Sequence, residues 1–396
     1  MSASPPNILW IVTTQWRAQA TGYAGDPNAR TPVLDALAAE SVNYTQAVTP
    51  HPFGPFARAA LLTGVPSPEN AVRGYFDMLP PDSRTIAHEM RARGYATAFF
   101  GKWGVGRRDP RVPLVGEAAA KVIVPEGERT GFEFFEGFEG GFQLNDPWLQ
   151  GTRLPAPTKF TGYQSDVVCA RAAVWIGSAK PGFCLVSVEA PHPPYAAPSA
   201  GIAARDSAAL TLPNNVPAAA ADRTRRELAG YYAHIEATDR AIGRLLATAP
   251  RDTIVVFTSV HGDMHGAHGL FRKGWPHEES VRVPLLIRAP GEVPRRDDAP
   301  VSLLDLGELT LARIDNRKAK IENASAARIS MPAVVALPDQ CDHVWRGVRT
   351  ATRKLVLNAD GSPWLFFDLE KDPGEQVNLA DDPARAAEIT ALRAWV

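Results

Sequence analysis

This 396-residue chain has few cysteines, almost no net charge and no long apolar run. The three cysteines, Cys169, Cys184 and Cys341, are too few and odd in number for a disulfide framework, so we expect reduced thiols packed as small apolar groups. A net charge of −1 argues against a dedicated binder of nucleic acid or of a membrane surface, because both need a basic excess. No apolar run approaches the length of a membrane-spanning helix.

A recognisable export signal is also missing. The apolar run at residues 8–12 is too short for the core of a signal peptide, and no basic segment precedes it. The run instead predicts a buried strand. We therefore expect a cytoplasmic protein.

The composition, 45% hydrophobic and 21% charged, is typical of a globular chain. Short apolar runs alternate with helical patterns through the first three-quarters. This alternation predicts an α/β fold with a largely parallel sheet and helices on both sides. The predicted strands include residues 8–12, 96–100, 183–188 and 253–257, and a long helix carries Leu228, Tyr232, Ile235, Ile242 and Leu246 on one face.

The pattern changes after about residue 300. Residues 348–357 and 364–369 predict two antiparallel strands joined by a turn at 358–361, and residues 383–395 predict a closing helix. The sequence thus predicts a main α/β domain over residues 1–300 and a small sheet-plus-helix subdomain over residues 301–396.

Six short segments, taken together and in order, resemble the sulfatase family of the alkaline phosphatase superfamily. They are residues 6–9, 52–64, 100–103, 191–195, 259–273 and 368–380. The resemblance implies the alkaline-phosphatase-like fold: a mostly parallel sheet between helices, followed by a small C-terminal antiparallel sheet and helix. Activity does not follow from a fold and has to be argued at the site.

The resemblance also implies which residues should carry the family's chemistry. Sulfatases use a formylglycine, made from Cys or Ser, as nucleophile and metal ligand, and they hold a divalent cation, usually Ca²⁺, with two Asp residues. In this chain the nucleophile position is Gly54. The first Asp position is Thr14, with Thr13 beside it, and the later Asp position is Val260. We therefore expect no formylglycine, no catalytic Ca²⁺ and no other cofactor, because a Val or a Gly offers no ligand and a Thr hydroxyl is a poor substitute for a carboxylate.

The cationic half of the family's site is better preserved. The candidate pocket residues are Arg58, Lys102, His192, His261 and Lys273, together with Thr14 and Gln15. The family's usual His after the Gly-Lys-Trp segment is replaced by Gly104. Since the metal and its carboxylates are lost together, the sequence predicts a metal-free pocket that binds sulfate, phosphate or carboxylate, that is, a pseudo-sulfatase.

Two alternatives stay open at this point. The first is an enzyme repurposed for acid–base chemistry by His and Lys, or for a transition metal such as Zn²⁺ held by His261, Asp263, His265 and His268. The second is a hydrolase of sulfate or phosphate esters despite the substitutions. In each case the expected partner is a small anionic molecule, with no nucleic acid and no membrane, and the sequence leaves a homo-oligomer open. The loops at 105–165 and 195–222 carry no motif that identifies the ligand.

Overall fold

Two sheets organise the computed structural model, which describes residues 5–178, 181–321 and 325–396. The strands are β1 Ile8–Thr13, β2 Val42–Val48, β3 Ala96–Lys102, β4 Phe134–Phe138, β5 Trp148–Gly151, β6 Leu154–Lys159, β7 Gly182–Ser187, β8 Ile254–Ser259, β9 Leu285–Arg288, β10 Arg295–Ser302, β11 Ala326–Met331, β12 Trp345–Thr350, β13 Arg353–Asn358 and β14 Pro363–Asp368. The helices are α1 Pro32–Ala39, α2 Gly54–Thr63, α3 Ile86–Ala92, α4 Glu117–Ala120, α5 Gln164–Ile176, α6 Ala218–Leu246, α7 Glu278–Val281, α8 Leu306–Ile314 and α9 Ala386–Arg393.

The larger sheet has ten strands within the described residues, in the order β10-β2-β9-β8-β1-β7-β3-β4-β5-β6. Its central strands, β8, β1, β7, β3 and β4, are mutually parallel, whereas β9, β5 and β6 run antiparallel to their neighbours. The predicted fold class, a mostly parallel sheet between helices, is confirmed.

Both faces of this sheet are buried, which explains the continuous apolar runs of its strands. Along β1, the side chains of Ile8, Trp10 and Val12 enter one hydrophobic core, and those of Leu9 and Ile11 enter the other. A strand covered on both faces needs apolar residues at every position rather than at every second one. Within the described residues, no helix has the length and apolar character needed to cross a membrane.

The small C-terminal sheet has the order β11-β12-β13-β14 and is antiparallel throughout. The predicted turn at 358–361 is confirmed, with Asn358 N–H donating to Ser362 O at 2.9 Å. The prediction of one strand over residues 348–357 is wrong, because β12 ends at Thr350, β13 begins at Arg353 and the two form a hairpin. The closing helix is shorter than predicted and spans Ala386–Arg393.

The boundary drawn at residue 300 falls inside β10 and has to move. Strand β10 belongs to the large sheet. Helix α8 packs against the same sheet, because Trp10 Nε1 of β1 donates to Thr310 Oγ1 of α8 at 3.1 Å. The small sheet therefore begins after α8. It is joined to the large unit by the buried Lys354 ammonium, which lies 2.7 Å from Glu278 Oε1 and 2.6 Å from Glu375 Oε1.

Candidate functional site

The carboxyl ends of four central strands meet at one edge of the large sheet. Thr13 at the end of β1 is in register with Ser259 of β8, and Val12 is in register with Ser187 of β7. Strand β3 ends beside Ser187 as well. Ligands of open α/β sheets bind outside such carboxyl ends. A cavity of about 520 Å³ lies here, and all the predicted pocket residues except Gln15 line it.

Gly54 begins helix α2 at the floor of this cavity. No side chain caps the helix start at Phe53, so the positive end of the helix dipole lies at the cavity. A Cβ atom built on Gly54 would meet no atom within 4 Å. The glycine is therefore not required by packing, and its missing side chain leaves open space at the family's nucleophile position.

Arg58 lies on the first turns of α2, and both of its terminal nitrogens donate to neutral oxygen atoms, whereas its buried Nε has no partner. Its Nη2 donates to Thr14 Oγ1 at 2.7 Å, and its Nη1 donates to Ser187 Oγ at 2.6 Å and to Lys102 O at 3.2 Å. Burial lowers the pKa of Arg58 to about 10, so the guanidinium remains charged at neutral pH. The positively charged guanidinium of Arg58 thus contacts Thr14, the residue at the position expected to hold the family's first Asp.

The absence of a side chain at Gly104 makes room for this arginine. A Cβ on Gly104 would lie 2.8 Å from Arg58 Cδ and 3.0 Å from Arg58 Nε, and the backbone there has a φ of +66°. A histidine at this position, as in the family, would displace the guanidinium from Thr14. The position of Arg58 therefore depends on the glycine at residue 104.

This linkage gives a testable prediction. We expect Gly104→Ala to lower the free energy of unfolding by about 2–4 kcal/mol, because it adds a close contact with Arg58 to the backbone cost of a left-handed residue. The matched control is Gly94→Ala, where φ is +82° and a Cβ would meet nothing within 4 Å, so only the backbone cost of about 1–2 kcal/mol applies. Urea denaturation measures both, and equal losses would contradict the contact with Arg58.

Two buried carboxylates, which the sequence motifs did not single out, compensate the cations of the pocket. Lys102 Nζ pairs with Glu189 Oε1, whose side chain is wholly buried. Glu139 Oε1 lies 3.4 Å from Arg108 Nε, and Glu139 Oε2 accepts from Gly106 N–H at 2.9 Å. Burial lowers the pKa of Lys102 while Glu189 opposes that shift, and burial raises the pKa of Glu139. The pocket is therefore less cationic than the sequence predicts.

Lys273 is the second ammonium group of the floor, and it is held by an amide. Its Nζ donates to Gln15 Oε1 at 2.6 Å, and Gln15 Nε2 donates to Asp263 Oδ2. The Tyr195 hydroxyl donates to the same carboxylate oxygen at 2.8 Å. Burial lowers the pKa of Lys273 to about 7, although Asp263 opposes the shift. This amine can therefore exchange a proton near neutral pH.

The tautomers of the two pocket histidines follow from their backbone contacts. Nδ1 of His192 lies 2.8 Å from Pro193 O, and Nδ1 of His261 lies 2.8 Å from Gly262 O. Since a carbonyl oxygen only accepts, each Nδ1 carries the proton and each Nε2 has a free lone pair. His192 Nε2 accepts from Lys273 Nζ at 3.2 Å, and His261 Nε2 is buried without a partner. Burial and the nearby Lys273 hold the pKa of both histidines well below the usual value.

The hydroxyl groups at the end of β1 are already used in hydrogen bonds. Thr14 Oγ1 donates to Val188 O at 3.2 Å and accepts from Arg58. Thr13 Oγ1 donates to Thr258 O at 3.2 Å. Neither hydroxyl is arranged as a metal ligand.

The residues present do not fit the Ca²⁺ that the fold family implies. Calcium takes six to eight oxygen ligands, several of them carboxylates. Gly54 and Val260 offer no oxygen from their side chains, and the Gln15 amide oxygen already accepts from Lys273. His261 Nε2 is buried without a partner, but it is a nitrogen, which hard Ca²⁺ does not favour. Glu189 Oε2 and Glu139 Oε1 also lack hydrogen-bond partners, but their carboxylates are already paired with Lys102 and Arg108.

The alternative site of His261, Asp263, His265 and His268 does not form as one group among the described residues. His265 is buried with its ring nitrogens 3.7 Å from Glu227 Oε2 and 3.9 Å from Asp263 Oδ1. His268 lies instead with Glu279 and Glu375. His265 and His268 both adopt left-handed backbone conformations, with φ of 43° and 56°, and this tight loop sends them to different neighbours.

Comparisons with known proteins place these features in a family. The family model described as Sulfatase matches residues 6–313. The chain is 33% identical to the ulvan-active sulfatase of Formosa agariphila over 96% of this chain and 78% of that protein. It is 26% identical to an arylsulfatase of Clostridium perfringens over 98% and 93%.

Solved structures agree on the fold. The phosphonate monoester hydrolase of Agrobacterium radiobacter superposes with a TM-score of 0.76 and 21% identity, over 98% of this chain and 96% of that one. BT4656, solved with its substrate D-glucosamine-2-N,6-O-disulfate, superposes with a TM-score of 0.82 and 19% identity, over 99% and 96%.

The fold defines an α/β protein with the hydrolase fold of the alkaline phosphatase superfamily, and its cavity lies at the carboxyl ends of the central strands. More narrowly, the chain belongs to the sulfatase family.

Proposed function

We propose that this chain binds a small anionic molecule in the pocket at the strand ends and lacks formylglycine- and Ca²⁺-dependent sulfate ester hydrolysis. The ligand carries a sulfate, phosphate or carboxylate group. Its anionic group would lie between the start of α2 and Lys273, where the cavity is open at Gly54.

The contact between Arg58 and Thr14 is the observation that carries this proposal. In place of a carboxylate that would hold a metal, Thr14 presents a hydroxyl, and Arg58 donates to it at 2.7 Å. The charge that a metal would supply is thus supplied in part by a guanidinium, which stays protonated at neutral pH and so cannot act as the base that activates a nucleophile. A pocket of this kind can attract an anion without cleaving it.

The test is a titration of the purified full chain with inorganic sulfate by calorimetry, together with metal analysis and an aryl sulfate hydrolysis assay. We expect reversible sulfate binding, no stoichiometric metal after incubation with Ca²⁺, Mg²⁺, Mn²⁺ or Zn²⁺, and no turnover. Lys273→Met should abolish measurable sulfate binding. Lys371→Met is the matched control, because it removes a lysine that is exposed and does not line the cavity.

The same measurements identify the outcome that would overturn the proposal. Two outcomes would show instead that the chain is a working hydrolase. The first is about one tightly bound metal per chain, and the second is turnover of the aryl sulfate that is lost in Lys273→Met. The triple variant Thr14→Asp, Gly54→Cys, Val260→Asp serves as a positive control for metal analysis, because it returns carboxylates to the family positions.

Acid–base chemistry is a second candidate, and the contact between Lys273 and His192 favours it. An amine with a pKa of about 7 lies 3.2 Å from a neutral imidazole lone pair, which is within reach for proton transfer. A bell-shaped pH–rate profile with any substrate, lost in His192→Asn while sulfate still binds, would support this function.

A further inference from the structure

The wall of the cavity differs in chemistry from its charged floor. One side is formed by the segment that follows β3, including Val112, Leu114, Val122 and Ile123, and Leu337 adds an apolar side chain from a separate part of the chain. These side chains offer no hydrogen-bond donor or acceptor. Pro113 and Pro125, which also line the wall, lack a backbone N–H as well.

Several of these apolar side chains are left in contact with water. Val112 is 38% exposed, Ile123 is 57% exposed and Leu337 is 37% exposed. Scattered apolar side chains on a surface need no explanation, but a group of them around one cavity marks a binding site. A ligand with an apolar body would cover these side chains, and their removal from water would favour binding.

Aromatic rings lie where the floor meets the wall. The Phe142 ring stacks on His192 at 4.7 Å between ring centres, and Lys102 Nζ lies 4.5 Å from the centre of the same ring. Tyr75 also lines the cavity, and the Arg108 guanidinium covers its ring at 5.0 Å while pairing with Glu139. Arg107 and Asp109 also line the cavity on this side, and they lie within 4 Å of the opposite charges of Glu128 and Arg111. The charges beside the wall are therefore paired, whereas Arg58 and Lys273 on the floor donate to neutral oxygen atoms.

We infer that the ligand is an amphiphile in which one anionic group is attached to an aliphatic or aromatic body, rather than a sulfated sugar. This inference rests on the proposed function, because it assigns the anionic group to the floor near Lys273. The body lies along the apolar wall formed by Val112, Leu114 and Ile123. A sugar would leave its hydroxyl groups without partners along that wall, which costs free energy. The cavity of about 520 Å³ lies within the range of about 300–1,000 Å³ usual for small-molecule sites.

A homologous series of linear alkanesulfonates tests the inference, since a sulfonate cannot be hydrolysed at an ester bond. Calorimetric titrations with methane-, butane-, hexane- and octanesulfonate, each below its micelle concentration, give one dissociation constant per chain length. We expect affinity to rise about fourfold for each added methylene group and to level off once the wall is covered. A glucose sulfate should bind no more tightly than methanesulfonate.

Two variants locate the effect on the wall. Ile123→Asp should weaken octanesulfonate at least tenfold and leave methanesulfonate unchanged, because only the longer ligand reaches the wall. The matched control, Val293→Asp, changes a valine that is 75% exposed and does not line the cavity, so it should leave the whole series unchanged. Circular dichroism spectra confirm that both variants are folded.

The series separates failure of this inference from failure of the proposed function. If all the alkanesulfonates bind with the affinity of methanesulfonate, or if the glucose sulfate binds more tightly than they do, the ligand is not an amphiphile. Anion binding at the floor would still hold in both cases. Failure of every sulfonate and of inorganic sulfate to bind would overturn both. If affinity rises with chain length by the same factor in the wild type and in Ile123→Asp, the apolar body lies away from this wall. That result would also overturn the inference.

Discussion

Lys102→Met is expected to lower the free energy of unfolding by about 3–5 kcal/mol, one of the largest effects of any single substitution in the pocket. The ammonium of Lys102 pairs with the carboxylate of Glu189, whose side chain has no exposure to solvent. Methionine has nearly the same length but no charge, so it would leave Glu189 buried without its partner. The cost of removing one member of a buried pair comes mainly from the charge left behind.

Urea denaturation of three variants separates this explanation from a loss of packing. The double variant Lys102→Met, Glu189→Gln should recover most of the loss, because it leaves no buried charge unpaired. Lys121→Met is the matched control for a lysine in a pair, since Lys121 and Glu117 are 42% and 48% exposed and such a surface pair contributes about 0–1 kcal/mol. Equal losses in Lys102→Met and Lys121→Met would contradict a stabilising buried pair.

The central sheet was predictable because its strands are buried on both faces. Residues 8–12 and 254–257 are apolar at every position, and the structure places them side by side in β1 and β8. Once these strands are parallel, their carboxyl ends fall on one edge. The residues that follow them, among them Thr14 and His261, then line one cavity.

The strand break at residues 351–352 could not be predicted from local pattern. The residues between Val348 and Leu355, including Ala351 and Thr352 at the turn, carry none of the Gly, Asn or Asp signals typical of a tight hairpin. The turn is stabilised by Thr350, whose hydroxyl oxygen accepts from Arg353 N–H at 2.9 Å. A hydroxyl that caps a turn is a weaker sequence signal than a glycine.

The charge balance of the pocket could not be predicted from the sequence either. Glu189 and Glu139 occupy no position that the family resemblance singles out, and they reach the cations only because β7 and β4 end near β3. Their sequence separations from Lys102 carry no periodic signal. The tautomers of His192 and His261 depend on backbone carbonyls that the fold alone brings to 2.8 Å.

Sulfate affinity is expected to fall about tenfold for each pH unit between about pH 7 and 9. The reason is the amine of Lys273, whose pKa burial lowers to about 7 in the free pocket. A bound anion favours the ammonium form and raises that pKa. Above about pH 7 the free pocket has lost this proton and the complex retains it, so binding takes up a proton. Below about pH 7 both states hold the proton, and the contribution of Lys273 to the pH dependence disappears.

Calorimetric titrations with sodium sulfate measure this effect, because sulfate itself does not change charge in that range. Lys273→Arg is the decisive variant, since a guanidinium stays protonated throughout and should remove most of the slope while keeping affinity at high pH. Lys273→Met should lose affinity at every pH. If the arginine variant loses affinity with the same slope as wild type, the titrating group is not Lys273. Proton uptake through this amine then fails, and the Lys102 amine, which also lines the cavity and whose pKa burial lowers, becomes the next candidate for the titrating group.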